Sequence, residues 1–317
     1  MRVLVTGGSG LIGSNVAAAA AQQSWEVLGC FHEHPIEIDG VETLALDMAD
    51  RRACVEAAME WEPDAIVHAA GEPSLSRFER DPLVAQLEYV GAEHTLAAAR
   101  TVHARHVLVS CDQVYSGRMP AAWRAQELDL PDPVNAHGRS KLACEEAAMR
   151  SNVPWLVVRP GEVYGVNASR GAWGRSGVAL RLVARMRRRA LLPAPEGVLR
   201  SPTYAWDFAQ RLCELVAQGC EGVYNLAGPV AMSRLAWARL LAEAFDCPAE
   251  LVRAGTQEAY LRACGENERV RLPANVGLCD EKARAAIGLA AVAPERGLAL
   301  VRERLGEKRV PVALDAR

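Results

Sequence analysis

The sequence predicts an α/β protein: a doubly wound parallel sheet of Rossmann type carrying a smaller mixed α/β substrate lobe. Three observations predict it. Short runs rich in Val, Ile and Leu alternate with longer segments of helical period, the pattern of repeated βαβ units. Successive positions within each run are apolar, as in strands covered on both faces. The first run ends in a glycine-rich turn that opens directly into a helical segment.

In order, strands are expected over residues 2–6, 26–31, 65–68, 106–110 and 155–159, and helices over 11–23, 51–61, 82–102 and 138–151. The second half changes character. It offers an Arg-rich helix over 176–190, a Pro-containing stretch over 192–202, helices over 204–218 and 233–245, and a strand over 222–226 expected to return to the sheet. Residues 1–160, rejoined by 203–228, are therefore expected to form the dinucleotide-binding unit. Residues 161–202 and 229–317 are left for the substrate lobe.

With 317 residues, half of them hydrophobic, the chain is long enough for a full core without cross-links. A net charge of -3 and the absence of a basic stripe speak against a nucleic-acid partner. The nine cysteines are odd in number and contain no C-x-x-C pair, so neither a disulfide framework nor a zinc knuckle is expected. The seven histidines show no ligand spacing, and no metal is expected. The chain runs almost at once into a strand pattern, and the apolar stretch over 16–21 is far shorter than the ~20 residues of a bilayer span. A cytoplasmic protein without a signal peptide or membrane span is the expectation.

The turn reads Thr6-Gly7-Gly8-Ser9-Gly10-Leu11-Ile12-Gly13. Gly7 suits the tight turn, Gly10 lets the backbone approach a pyrophosphate, and Gly13 lets the helix sit close to the strand. The amides of the opening helix and its dipole complete an anion site.

Thr-Gly-x-x-Gly-x-x-Gly at 6–13 resembles the cofactor motif of the extended short-chain dehydrogenase/reductase family (the NAD-dependent epimerase/dehydratase superfamily). Further matches follow in order: Leu46-Asp47-Met48, His68-Ala69-Ala70-Gly71, Ser110-Cys111-Asp112-Gln113-Val114-Tyr115, Gly138-Arg139-Ser140-Lys141, Arg159-Pro160-Gly161-Glu162-Val163-Tyr164-Gly165, Ser201-Pro202-Thr203-Tyr204-Ala205-Trp206-Asp207 and Val223-Tyr224-Asn225-Leu226-Ala227-Gly228. Together they are most similar to the dTDP-4-dehydrorhamnose reductase branch. The resemblance implies an NADP or NAD cofactor held by Gly7, Gly10, Leu11, Ile12, Gly13, Phe31, His32, Asp47, Met48, His68, Ala69, Ala70, Lys141 and Arg159. It implies a carbonyl or sugar substrate near Glu72, Glu162, Tyr164, Asn167 and Thr203, and a homodimer. Phe31 stands where an acidic residue would favour NAD, which tilts the expectation to NADP.

At the catalytic end the pattern breaks. The family delivers a proton from a Tyr four residues before a Lys on one helix face; here Lys141 is present and His137 stands in place of the Tyr. Cys111, a poorer donor, replaces the Ser or Thr that holds the carbonyl oxygen, and Tyr89 aligns with an Asn that supports proton relay. The candidate catalytic set is Cys111, Asp112, His137 and Lys141, and three readings follow. His137 replaces the phenol in an atypical oxidoreductase. Alternatively the chain binds its cofactor without redox chemistry, as a regulatory or scaffold protein similar to the beta subunit of methionine adenosyltransferase. In the third, Cys111 and His137 oxidise an aldehyde through a thiohemiacetal. Two bland roles stand beside these: Arg181, Arg185, Arg187, Arg188 and Arg189 as a solvated helix face rather than a pyrophosphate clamp, and Asp207 as a helix anchor.

Overall fold

The computed structural model describes residues 1–170 and 177–307. In chain order the first half contains β1 (Arg2–Thr6), α1 (Leu11–Gln22), β2 (Glu26–Phe31), β3 (Glu42–Ala45), α2 (Arg51–Trp61), β4 (Ala65–His68), α3 (Leu75–Arg80), α4 (Pro82–Thr101), β5 (Arg105–Val109), α5 (Ala136–Arg150) and β6 (Trp155–Arg159). Then come β7 (Glu162–Tyr164), α6 (Gly177–Arg187), β8 (Leu192–Ala194), β9 (Leu199–Arg200), β10 (Pro202–Tyr204), α7 (Ala205–Ala217), β11 (Gly222–Asn225), β12 (Met232–Ser233), α8 (Arg234–Ala244), β13 (Val252–Ala254), α9 (Gln257–Ala263), α10 (Glu281–Ile287) and α11 (Pro294–Glu307).

Seven strands form one sheet in the order β11-β6-β5-β4-β1-β2-β3, and every pairing is parallel. The continuous apolar runs are explained by two covered faces. Val3, Val5, Val67 and Val107 pack with α1 and α7 through Ala17, Ala20, Phe208 and Leu212 on one side. On the other, Leu4, Leu28 and Ile66 meet Cys54 and Ala58 of α2, while Leu108 and Val157 meet Leu96 and Ala148 of α4 and α5. The chain leaves β1 toward β2 and β3, then returns to its opposite side as β4. The carboxyl ends of β1 and β4, where this reversal falls, are the place at which doubly wound sheets receive ligands.

Departures from the expected elements have local causes. The strand expected over 106–110 runs from Arg105 to Val109, and the Ser110 amide makes the last bond to its neighbour, donating to Val158 O at 2.8 Å. α5 starts two residues early because Asn135 caps it, accepting from the amide of Gly138, which places His137 in the first helical turn. β3 is a largely exposed edge strand without an apolar run, and α3 spans six residues, so neither carries a readable period. The Arg-rich helix begins at Gly177; Ser176 lies outside the described residues.

Three small two-stranded sheets, β7 with β10, β8 with β13 and β9 with β12, sit with α6, α8, α9 and α11. Their core gathers Tyr164, Leu182, Met186, Tyr204, Trp237 and Leu241. Arg181, Arg185 and Arg187 lie on α6; Arg185 Nε donates to the Leu191 carbonyl and Arg187 lies over the Phe245 ring. Among the described residues no helix is long and apolar enough to cross a membrane.

Candidate functional site

Three backbone bonds shape the turn after β1. Gly8 N donates to Cys30 O at 2.8 Å, Gly10 N donates to Gly7 O at 2.8 Å, and the ladder of α1 begins with Ser14 N to Gly10 O at 3.1 Å. The amides of Leu11, Ile12 and Gly13 precede that first i to i−4 bond and stand at the positive end of the helix. Gly7 adopts φ of 69°, and a Cβ there would lie 2.6 Å from the Ala69 carbonyl oxygen. A Cβ on Gly13 would lie 2.3 Å from the Gly7 oxygen. The turn is therefore closed to side chains and open to an anion, which fits the pyrophosphate of a dinucleotide.

Thr6 locks β1 to β4. Its hydroxyl accepts from the amides of Ala69 and Ala70 at 3.2 and 3.1 Å and meets His68 Nδ1 at 3.0 Å. With two amides already donating to it, its own proton goes to His68, whose ring carries its proton on Nε2. Burial first, then His106 and Lys141, hold His68 well below the ordinary imidazole range, so it is neutral. At the outer end Phe31 is partly buried, while exposed His32 lies 3.9 Å from Asp47 Oδ2. Asp47 Oδ1 accepts from the Ala49 amide, and the Met48 carbonyl meets His94 Nδ1 at 2.9 Å.

At the end of β5, Cys111 Sγ lies 3.9 Å from His137 Nδ1, and the Phe78 ring of α3 packs edge-on against His137 with centroids 5.0 Å apart. Burial, then Lys141 and Arg200, push the His137 imidazolium down to about 3. Burial, then Asp112, push the Cys111 thiol up to about 12 although Lys141 opposes. A protonated thiol facing a neutral ring donates S–H to Nδ1 when the ring proton is on Nε2, and accepts from Nδ1–H in the other tautomer. Lys141, one turn along α5, donates to the Val109 carbonyl at 3.3 Å and pairs with Glu88 Oε1 at 2.5 Å. Burial alone would lower the Lys141 pKa, but Glu88 reverses the sign and it is raised.

Glu88, one residue before Tyr89, is the α4 side chain that faces Lys141. Tyr89, expected beside the lysine, turns outward and donates to Glu93 at 3.2 Å. On α4 a shift of one residue rotates a side chain by about 100°, enough to exchange inward for outward.

Several expected contact residues are committed elsewhere. Arg159, expected at the cofactor, is sealed under the sheet edge: Nε and Nη2 meet the two Glu145 oxygens at 2.9 and 2.5 Å, and Nη1 donates to Tyr115 Oη at 2.7 Å. Asp112 pairs with Arg200 at 2.8 Å, both buried. Glu162 is ion-paired with Arg234. Tyr164, 1% exposed, packs against Tyr204 and Trp237 and donates to the Pro294 carbonyl, so it supports the core. Thr203 is fully buried and bonds the Ser201 carbonyl and the Gly228 amide. Asn167 reaches the turn instead of a substrate lobe wall, donating to Ser9 O at 2.9 Å. Glu72 pairs with Arg77 and its amide donates to Glu88 Oε2 at 3.2 Å. Asp207 lies 3.9 Å from Arg211 and accepts from the Val292 amide at 3.3 Å, an anchoring role. Among the described residues no group of His, Cys, Asp and Glu is arranged to hold a metal.

A family model described as the RmlD substrate binding domain matches residues 1–302. Methionine adenosyltransferase 2 subunit beta of Xenopus laevis is 28% identical over 263 residues, which cover 81% of this chain and 76% of that protein. The probable low-salt glycan biosynthesis reductase Agl14 of Haloferax volcanii is 26% identical over 255 residues, covering 80% of this chain and 83% of its own length. The structure of Thermus thermophilus UDP-glucose 4-epimerase in complex with NAD superimposes with a TM-score of 0.80 at 22% identity, over 96% of this chain and 99% of that one.

Proposed function

The chain belongs to the RmlD substrate binding domain family, within the extended short-chain dehydrogenases/reductases, and from that premise we propose an atypical NAD(P)-dependent oxidoreductase acting on a sugar or related carbonyl compound. One observation carries the reading. The glycine cradle beyond β1 and the Cys111, His137 and Lys141 cluster beyond β5 lie on the same carboxyl edge of one sheet. In this reading Gly7, Gly10, Leu11, Ile12 and Gly13 hold the pyrophosphate, Phe31, His32, Asp47 and Met48 line the adenosine end, and His68, Ala69 and Ala70 form the floor beside β4. Arg159 drops out of the cofactor contacts because its guanidinium is spent on Glu145 and Tyr115. When bound, the dinucleotide supplies hydride transfer.

The protein's own part is positioning and electrostatics. Neutral His137 hydrogen-bonds the substrate oxygen through Nε2–H and polarises the carbonyl, a role that a neutral imidazole performs well when its surroundings keep it uncharged, and solvent supplies the proton that completes the alcohol. In that tautomer Cys111 donates to the other nitrogen. Lys141 contributes a fixed positive charge that favours negative charge growing on that oxygen. A thiolate route through Cys111 is disfavoured by the same burial that keeps the thiol protonated.

A second reading, a cofactor-binding regulatory or scaffold protein without redox turnover, is favoured by one feature. The groups at both replaced positions, Cys111 and His137, sit in forms poorly suited to release a proton near neutrality. The similarity to a methionine adenosyltransferase beta subunit supports it. Both readings include a cytoplasmic homodimer of a Rossmann unit and a substrate lobe, and ultracentrifugation checks the dimer.

Single-turnover consumption of NADPH and NADH with a panel of keto sugars and aldehydes tests the proposal. Turnover that His137→Ala abolishes supports the oxidoreductase. Tight cofactor binding without consumption, together with activity gained by His137→Tyr, establishes the regulatory reading in its place.

A further inference from the structure

The Glu88 carboxylate is 3% exposed and lies on the inner face of α4. Three groups hold it there. Lys141 Nζ pairs with Oε1 at 2.5 Å, the Glu72 amide donates to Oε2 at 3.2 Å, and the carboxylate rests against Gly71, where a Cβ would lie 2.6 Å from Oε1. A side chain at 71 would push the Glu88 carboxylate off its seat. We propose that Glu88 is a positioning residue: seated on Gly71, it holds the Lys141 ammonium beside His137 and makes the charge of the site that of a fixed pair rather than of a free lysine. The inference deepens the oxidoreductase reading, because His137 is the donor proposed there.

The argument is one of charge in a dry place. A buried ammonium without a counterion loses its proton readily. The groups around Lys141 supply one carboxylate in direct contact, Glu88 from α4. From β4 comes neutral His68, and from the end of β5 Cys111 and Asp112, the latter already neutralised by Arg200. From α5 itself come His137, Cys144 and Glu145, and Glu145 is committed to Arg159. Glu88 is therefore the anion that keeps Lys141 charged, and the charged lysine in turn helps to keep His137 neutral.

The test is a pH titration of the full chain by NMR, with 15N-labelled histidine assigned through His137→Gln and 13C-labelled lysine assigned through Lys141→Arg. Neither cofactor nor substrate is added, so failure of the oxidoreductase reading does not affect the result. In Glu88→Gln, Lys141 is expected to lose its proton at least tenfold more readily than in the wild type, and His137, now facing a lysine stripped of its counterion, to take one up only at a lower pH. Glu88→Asp should restore part of both changes. If Glu88→Gln is too unstable to titrate, Gly71→Ala, which displaces the carboxylate without removing it, should move both groups in the same directions. Lys141 and His137 titrating as in the wild type in these variants overturns the proposal.

Discussion

Cys111 and His137 face each other across 3.9 Å, sulfur to Nδ1, at the two positions where the chain departs from its family's catalytic pattern. Neither group is charged near neutral pH: burial raises the thiol to about 12 and lowers the imidazolium to about 3. The thiolate, which is the reactive form, is then scarce at pH 7. Iodoacetamide at pH 7 should leave Cys111 unmodified in the folded chain while alkylating it after denaturation, as read by peptide mass spectrometry. Fast alkylation of Cys111 in the native protein would revive the thiohemiacetal route.

The cradle makes a graded prediction about its glycines. Gly13→Ala drives a methyl to 2.3 Å from the Gly7 oxygen, and Gly7→Ala adds a strained φ of 69° to a 2.6 Å clash. Each should weaken NADP or NAD binding at least tenfold by calorimetry. Gly197→Ala, with no atom within 4 Å of its Cβ, serves as the control and should bind as the wild type does. Equal affinities across the three variants would remove the dinucleotide from this turn.

Arg159 and Glu145 form a buried bidentate pair, 2% and 0% exposed, so neither side chain reaches the surface. Removing one charge should cost about 3–5 kcal/mol, whereas replacing both with apolar residues should recover much of it. Urea unfolding of Glu145→Gln and of the Glu145→Leu, Arg159→Met double variant gives the two values. The double variant should still bind cofactor, and loss of binding in a folded double variant would return Arg159 to the cofactor contacts.

Buried histidines set an acid limit. His106 is fully buried beside Thr95, Nε2 to Oγ1 at 3.0 Å, and burial lowers its pKa from 6.5 to about 3. Such a group is neutral in the fold and protonates when the chain unfolds, so its contribution is complete above pH 6.5. The contribution is lost as the pH falls from 6.5 toward 3, by about 1.4 kcal/mol per unit. His68 and His137 are lowered by burial as well, so stability in urea melts between pH 6.5 and 5 should fall with up to three times this slope, and His106→Asn should remove one share of it. An unchanged slope in the variant would place the acid sensitivity elsewhere.

Much of the sheet was legible because burial on both faces demands unbroken apolar runs. β1, β2, β4 and β6 span the residues expected of them, with Val, Leu and Ile in their interiors. The glycine turn was legible for the same kind of reason: only glycine tolerates the close approaches at Gly7 and Gly13. The exposed edge strand β3 and the short α3 carried no such demand. α3 nonetheless matters to the site, since it brings Phe78 onto His137 and is tied through Ser76 to Glu266.

The sequence by itself determined the α/β class, the nucleotide-type turn and the unusual residue types at 111 and 137, because each follows from local pattern or from residue identity. Only the tertiary structure decided how the polar side chains are spent. It gave Arg159 to Glu145, Asp112 to Arg200, Glu162 to Arg234, and Lys141 to Glu88 rather than to any partner of Tyr89. The physical reason is that a buried charge must find a counterion. Which one it finds depends on helix phase and on strand neighbours far apart in the chain, and neither is written in the local pattern.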